Sequence, residues 1–374
     1  MAVEIKIIAS KKDLKEFIYF PAELHKDHKN WVPPIYSDEW TFLDPKKNKN
    51  LITCETILLL ALDGEKVVGR IMGIINNHHN ELHHLKTARF FYLECYNDDA
   101  ISHALIGYVE NWAREKGMNR MIGPFGFSDK DPQGFMIEGY EHMPVIATTY
   151  NFPYMVDLVE KEGYQKEIDC VSFKLPIPQE VPELYNKILV RILKNNDLHL
   201  LEFKSKLRMK KYIVPLFRLI NETYKDLYGF VPLDEKEMHQ FANRYLMILD
   251  PAFVKVVVSG TDEIIAFIIA MPDMNEGIIK AKGKLFPFGF IKILRSAKTT
   301  KQLNLLLGAV KEEYRGVGFD ALLGSKIIES AKKCKIELID THLILENNFK
   351  MRAEVEKLGG VIYKRYRIFQ KNIS

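Results

Sequence analysis

Val310-Lys311-Glu312-Glu313-Tyr314-Arg315-Gly316-Val317-Gly318-Phe319-Asp320-Ala321-Leu322-Leu323 is the most chemically loaded stretch of the 374-residue chain. The apolar run Gln302 to Val310 before it predicts a strand, and apolar residues at helical spacing after it (Leu322, Leu323, Ile327, Ile328, Ala331) predict a helix. Between the two lie a polar turn and a pair of glycines. The first N–H groups of a helix lack partners within it and carry partial positive charge, and glycine lets a ligand approach the main chain. Such a mouth suits a pyrophosphate, and Arg315 adds a fixed charge with several donors.

Gly316-x-Gly318-x-x-Ala321 also fits the dinucleotide fingerprint, with Glu337 about 20 residues on. That fingerprint follows its strand directly and opens a six-stranded sheet. Here a turn of five residues intervenes and only 58 residues remain after Gly316. What does follow is a strand, the segment Ile344-Leu345-Glu346, then Asn348 and a short helix closing in Glu356-Lys357-Leu358-Gly359-Gly360.

The pattern has a partner upstream. Ala104-Leu105-Ile106-Gly107 opens a helix as Ala321-Leu322-Leu323-Gly324 does, and Asn151-Phe152 with Val159-Glu160-Lys161-Glu162-Gly163 is echoed by Asn348-Phe349 with Val355-Glu356-Lys357-Leu358-Gly359. The alanines lie 217 apart and the glycines 196 apart, so the first copy carries 21 extra residues. Each copy reads as α/β, with β-rich runs at Val3–Ile8, Thr56–Leu62, Val67–Ile75 and Arg89–Glu94 in the first, and at Phe253–Val258, Ile264–Met271 and Gln302–Val310 in the second. The proline cluster from Pro176 to Pro182 can join neither a helix nor a sheet interior. It is expected to separate a domain over 1–177 from one over 178–374.

Taken together, Arg315-Gly316-Val317-Gly318 before a helix and Asn348 before the Glu356-Lys357-Leu358-Gly359 helix end resemble the GNAT N-acyltransferase superfamily, whose motifs are Q/R-x-x-G-x-G/A and N-x-x-A followed by Y-E-K-L-G-F. The resemblance covers residues 302–371 directly and the first half through the repeat. It implies two tandem GNAT-like acyl-CoA N-acyltransferase domains of α/β (α+β) class, each a mixed, mostly antiparallel sheet flanked by helices. It implies acetyl-CoA or another acyl-CoA as cosubstrate, held by Val310, Arg315, Gly316, Val317, Gly318, Phe319 and Asn348. The acyl group would pass to a small-molecule or peptide amine in a cleft between the halves. His342 and Glu346 are the groups nearest the reacting centre by motif position, as candidate bases.

Two departures accompany it. Asp320 stands where a small residue is usual, and a carboxylate 4 Å from a phosphate charge repels it by about 1 kcal/mol in water and ~4 kcal/mol near a protein surface. Val355 stands where the superfamily often has a thiolate-protonating tyrosine. The first copy departs further: Cys95-Tyr96-Asn97-Asp98-Asp99 replaces its cradle, with no glycine and two carboxylates. It resembles the degenerate partner of tandem members. A catalytically inactive tandem GNAT fold, binding a small molecule or peptide, is the alternative reading.

The extra segment of the first copy, Gly123 to Tyr140, starts on the ligand side of an α/β sheet. It contains Glu138 and, with Tyr150, Asn151 and Tyr154 just beyond, is a candidate substrate-binding region, the alternative being a lid over the core. Lys280 to Thr300 is basic and aromatic, either covering an acyl chain or packing between domains. His78 to His84 reads as a polar surface loop, not a metal site, and Lys204 to Lys211 as a solvated helix face. Cys54, Cys95, Cys170 and Cys334 are expected to be reduced thiols, with no metal. A net charge of +4 from 53 basic and 49 acidic residues argues against nucleic acid. The longest apolar runs fall far short of the roughly 18 residues that span a bilayer, and the start lacks a secretory pattern. The expected setting is the cytoplasm without a membrane partner.

Overall fold

The computed structural model describes residues 3–180, 183–193 and 197–374. Val181 and Pro182, the end of the proline cluster, lie outside them. Two compact units result. The first takes in the chain to Val171, Asn275–Arg295 and Tyr363–Ser374; the second is Ser172–Met274 with Ser296–Ile362. Packing therefore does not follow a single cut at 177/178. The last strand, Val361–Asn372, pairs antiparallel with Arg120–Gly123 and buries Ile368 and Phe369 completely. An apolar strand end must be covered, and here the first unit covers it.

Both units build a sheet in the same order. In the first, Glu4–Ile7, Glu55–Asp63, Lys66–Ile75 and Thr87–Cys95 pair antiparallel, and Thr87–Cys95 then pairs parallel with Arg120–Gly123. In the second, Leu198–Glu202, Val254–Ser259, Ile264–Pro272 and Gln302–Val310 pair antiparallel, and Gln302–Val310 pairs parallel with Leu338–Thr341. This is the mixed, mostly antiparallel sheet expected of each copy.

The helix after each parallel crossover covers a sheet face. Asp99–Glu115 buries Ile101, Leu105, Val109 and Ala113, four residues apart, so they share one stripe. A Cβ on Gly73 would stand 2.9 Å from Ile57, Val109 and Trp112, so only glycine lets the helix lie this close. Phe319–Lys333 does the same in the second unit with Leu322, Leu323, Ile327, Ile328 and Ala331.

One local expectation changes. Asn77–His83 is a helix rather than a loop, because the Asn76 side chain accepts from the His79 N–H and caps it. Burial, with Arg89 nearby, lowers the His79 pKa to about 3. The segment after Gly123 packs over the core: Phe125, Phe127 and Phe135 are buried, and the buried Arg89 donates to the carbonyls of Gly126 and Phe127 at 2.9 and 2.8 Å. Among the described residues no helix is long and apolar enough to cross a membrane.

Candidate functional site

In the second unit the parallel pair runs from Gln302 opposite Leu338 to Leu305 opposite Thr341, and the His342 N–H donates to the Leu305 carbonyl at 2.8 Å. The partner strand then ends while Gln302–Val310 continues. On its other edge the register jumps between Ile269, opposite Leu307, and Ala270, opposite Leu305, so Leu306 is a bulge. A strand that bulges where its parallel neighbour stops forms a fork, with main-chain groups of 306–310 beyond it. Tyr224, at the end of the helix Lys206–Thr223, donates to the Gly308 carbonyl at 2.9 Å.

This strand leads into the mouth of Phe319–Lys333. Gly318 caps that helix with φ +109°, and no side chain bonds its first N–H groups. Gly316 has φ +77°, with open space where a Cβ would be. Arg315 is exposed, its Nε 3.4 Å from the Val310 carbonyl. Val317 is partly exposed and its carbonyl accepts from Arg191 at 2.7 Å; Phe319 is buried and anchors the helix. The mouth thus joins free helix amides to two guanidinium groups, an anion-binding arrangement. Arg191 escaped sequence reasoning because it reaches the mouth from the helix Glu183–Leu193, more than a hundred residues earlier. Lys311 is engaged elsewhere, by Glu263 at 2.7 Å and Glu313 at 2.9 Å, which raise its pKa.

The remaining sequence candidates of this unit fall at two places. His342 sits at the fork, and Glu346 lies just past the short strand Ile344–Leu345 with its carbonyl bonded by Arg352 at 2.7 Å. Asn348 caps Phe349–Lys357, accepting from the Met351 N–H at 3.3 Å, so its side chain already serves that helix. Asp320 is exposed in the first turn and Val355 is buried.

The first unit repeats the fork: Phe125 donates to the Phe90 carbonyl at 2.9 Å, and the bulge falls beside Tyr92, whose φ is +53°. Its helix mouth is closed, however. The Asp98 carboxylate accepts from the Ala100 N–H at 2.8 Å and occupies the place an anion would take. Tyr154 donates to the Cys95 carbonyl at 2.9 Å at the end of the forked strand.

Beside that strand end lies a polar cluster that sequence reasoning missed. Arg70 reaches Glu94 at 2.8 Å and the Phe17 carbonyl at 2.7 Å; His25 Nε2 lies 3.1 Å from Glu94, and the His25 and His28 Nδ1 atoms are 3.0 Å apart. Burial pushes the Glu94 carboxyl up, but Arg70 and His25 outweigh it and hold it below the usual range. Burial raises Glu39, which accepts from the Tyr92 hydroxyl at 2.8 Å. The His25 ring stacks on Trp31 and Phe152, His28 stacks on Phe152, and Phe152 stacks on Tyr154. Arg70 and Glu94, charges inside otherwise apolar strands, were the available signal.

Of the substrate-binding candidates, Tyr154 joins this stack and Tyr150 packs tilted against His28. Asn151 is buried, bonding both the N–H and the carbonyl of Met136 at 2.7 and 3.2 Å, which holds the backbone there. Glu138 lies apart, exposed and paired with Arg365 at 3.3 Å.

Burial, then His25, lowers the His28 pKa to about 4 from an ordinary 6.5. The folded chain therefore binds fewer protons than the unfolded chain between these values, and stability present above pH 6.5 is lost as the pH falls through 4. His28→Phe, which keeps a ring in the stack, is expected to flatten the pH dependence of unfolding in that window. A variant profile that overlays the wild type would assign the acid loss to another group.

A forked, bulged strand followed by a helix occurs in both units, the glycine-opened mouth only in the second, and the fold is that of tandem GNAT structures. No family profile matches the chain. It resembles a tandem GNAT protein from the clavulanic acid biosynthesis pathway, with TM-score 0.57 and 13% identity over 100% of this chain and 99% of that one. A GCN5-related N-acetyltransferase from Sphaerobacter thermophilus gives 0.54 and 12% identity over 99% and 96%. Among curated proteins, Escherichia coli Protein YghO is 27% identical over 99% of this chain and 95% of its own length. A bacterial ceramide synthase from Caulobacter vibrioides is 27% identical over 97% and 96%.

Proposed function

We propose that the chain is an acyl-CoA-dependent N-acyltransferase that holds the CoA pyrophosphate on the amides around Gly316 to Phe319, flanked by Arg315 and Arg191. The observation that carries this reading is the fork of Gln302–Val310 leading into a helix mouth without a side-chain cap. Main-chain N–H groups of 306–310 would polarise the thioester carbonyl. The amine nitrogen attacks that carbon, the C–S bond breaks, the amine proton passes to His342 or Glu346, and the thiolate leaves to be protonated. A ceramide is the N-acyl derivative of a long-chain amino alcohol. The ceramide synthase relative, aligned over nearly its full length, favours a long-chain amine as acceptor and a fatty acyl-CoA over acetyl-CoA as donor.

CoA should raise the Tm of the chain, and Arg315→Ala should abolish that shift while leaving the ligand-free Tm within about 1 °C, as expected of an exposed side chain. A full CoA shift in the variant would refute the assigned pyrophosphate site. Thiol release from acetyl-CoA and palmitoyl-CoA, each offered sphinganine, a short alkylamine and a peptide amine, tests the chemistry; turnover should be greatest with the two long-chain partners.

Asp320 in the first turn and Val355 in place of the acid favour a second reading, a non-catalytic binder of the same ligand. A CoA-dependent Tm shift without thiol release above background would select it.

A further inference from the structure

Residues 277–300 contain six Lys or Arg and no Asp or Glu, in a chain whose total charge is only +4. The remainder of the molecule is therefore slightly acidic, and this segment is a separate cationic region. It also exposes a run of large apolar side chains. Phe286 is 80% exposed, Phe288 67% and Ile291 50%, with Phe290 and Leu294 also exposed. Soluble monomers rarely leave such a contiguous apolar patch in water.

The patch is presented on firm backbone. Tyr36 donates to the Gly283 carbonyl at 3.0 Å, Asn275 to the Pro144 carbonyl at 2.7 Å, and Phe290 to the Leu285 carbonyl at 2.9 Å. The helix Gly289–Thr299 buries Ile293 and turns Ile291 and Leu294 outward. Lys282, Lys284 and Lys292 stand exposed around the aromatic turn, and the Lys292 ammonium reaches the Lys280 carbonyl at 3.1 Å.

We propose that this surface docks the protein on an anionic lipid bilayer, with the side chains of Phe286, Phe288 and Ile291 entering the headgroup and acyl boundary and the lysines engaging lipid phosphates. Aromatic side chains prefer that boundary, and a cationic rim without carboxylates complements a negatively charged leaflet. A second copy of the chain is disfavoured as the occupant, since facing patches would set like charges against one another. The inference stands apart from the acyltransferase reading, because membrane binding needs no turnover. It also replaces the expectation, drawn from the absence of a spanning segment, that no membrane is involved.

Co-sedimentation of the full chain with sucrose-loaded vesicles tests it. The wild type should sediment with phosphatidylcholine vesicles containing phosphatidylglycerol, little with phosphatidylcholine alone, and be released by high salt. Phe286→Ala/Phe288→Ala/Ile291→Ala should weaken binding by at least about tenfold, from lost apolar burial. Lys282→Glu/Lys284→Glu should remove the preference for anionic vesicles. Tryptophan fluorescence and far-UV circular dichroism verify that both variants fold. Equal sedimentation with the two vesicle types, or a triple variant that binds like the wild type, overturns the proposal. So does a wild-type dimer in light scattering that the triple variant converts to monomer, which would make a second copy the occupant.

Discussion

Replacing Arg70 with methionine is expected to destabilise the first unit by about 3–5 kcal/mol, the cost of stranding a buried charge. Arg70 is 5% exposed, and its guanidinium holds the Glu94 carboxylate and the Phe17 carbonyl while lying over the rings of Phe17 and Tyr92. Methionine fills much of the volume but leaves Glu94 facing His25 alone. The measurement is clean because all three tryptophans, Trp31, Trp40 and Trp112, belong to the first unit. Urea unfolding followed by tryptophan fluorescence therefore reports on that unit. Adding Glu94→Gln should recover part of the loss, since no carboxylate is then left unpaired. A fluorescence midpoint for Arg70→Met close to wild type would show that Glu94 is already solvated or neutral in the folded chain.

Gly318→Val should abolish the CoA-induced Tm shift and destabilise the second unit by about 2–4 kcal/mol, adding a left-handed backbone penalty to overpacking. At φ +109° an added Cβ would stand 2.4 Å from Ile188 Cγ2, which is van der Waals overlap. Gly316→Ala separates the two terms. At φ +77° it meets nothing within 4 Å, so it should cost only the backbone penalty of about 1–2 kcal/mol. Far-UV circular dichroism should show the loss while the tryptophan transition stays in place. In a double-mutant cycle, Ile188→Ala should relieve part of the cost of Gly318→Ala. Absence of coupling would mean that the helix Glu183–Leu193 moves aside freely and does not shape the mouth.

Much of the fold could be read locally. The strand Gln302–Val310 has the limits its apolar run predicts, and the helices Phe319–Lys333 and Asp99–Glu115 lie where apolar spacing places them. Gly316 and Gly318 stand at the helix mouth, with φ +77° and +109°. His78–His84 was misread because a cap depends on one side chain folding back, and periodicity is blind to that. In the insert after Gly123, Phe125, Phe127 and Phe135 enter the core, the packing expected of a lid over it.

The sequence by itself determined that one α/β unit occurs twice, that the second copy keeps a glycine-opened helix mouth with Arg315, and that the first puts carboxylates there. These are properties of spacing and residue type, which act over a few neighbouring positions. Only the tertiary structure decided that Arg191 joins Arg315 at the mouth, that Asp98 closes the other mouth, and that Arg70, Glu94, His25 and His28 form one cluster around buried Arg70 and His25. It also decided that the strand from Tyr363 onward completes the first unit and that the phenylalanines at 286 and 288 face outward. Each of these contacts joins residues far apart in the chain, or depends on which side of a segment is left uncovered. Burial and charge pairing between distant segments settle such contacts, and no local pattern records them.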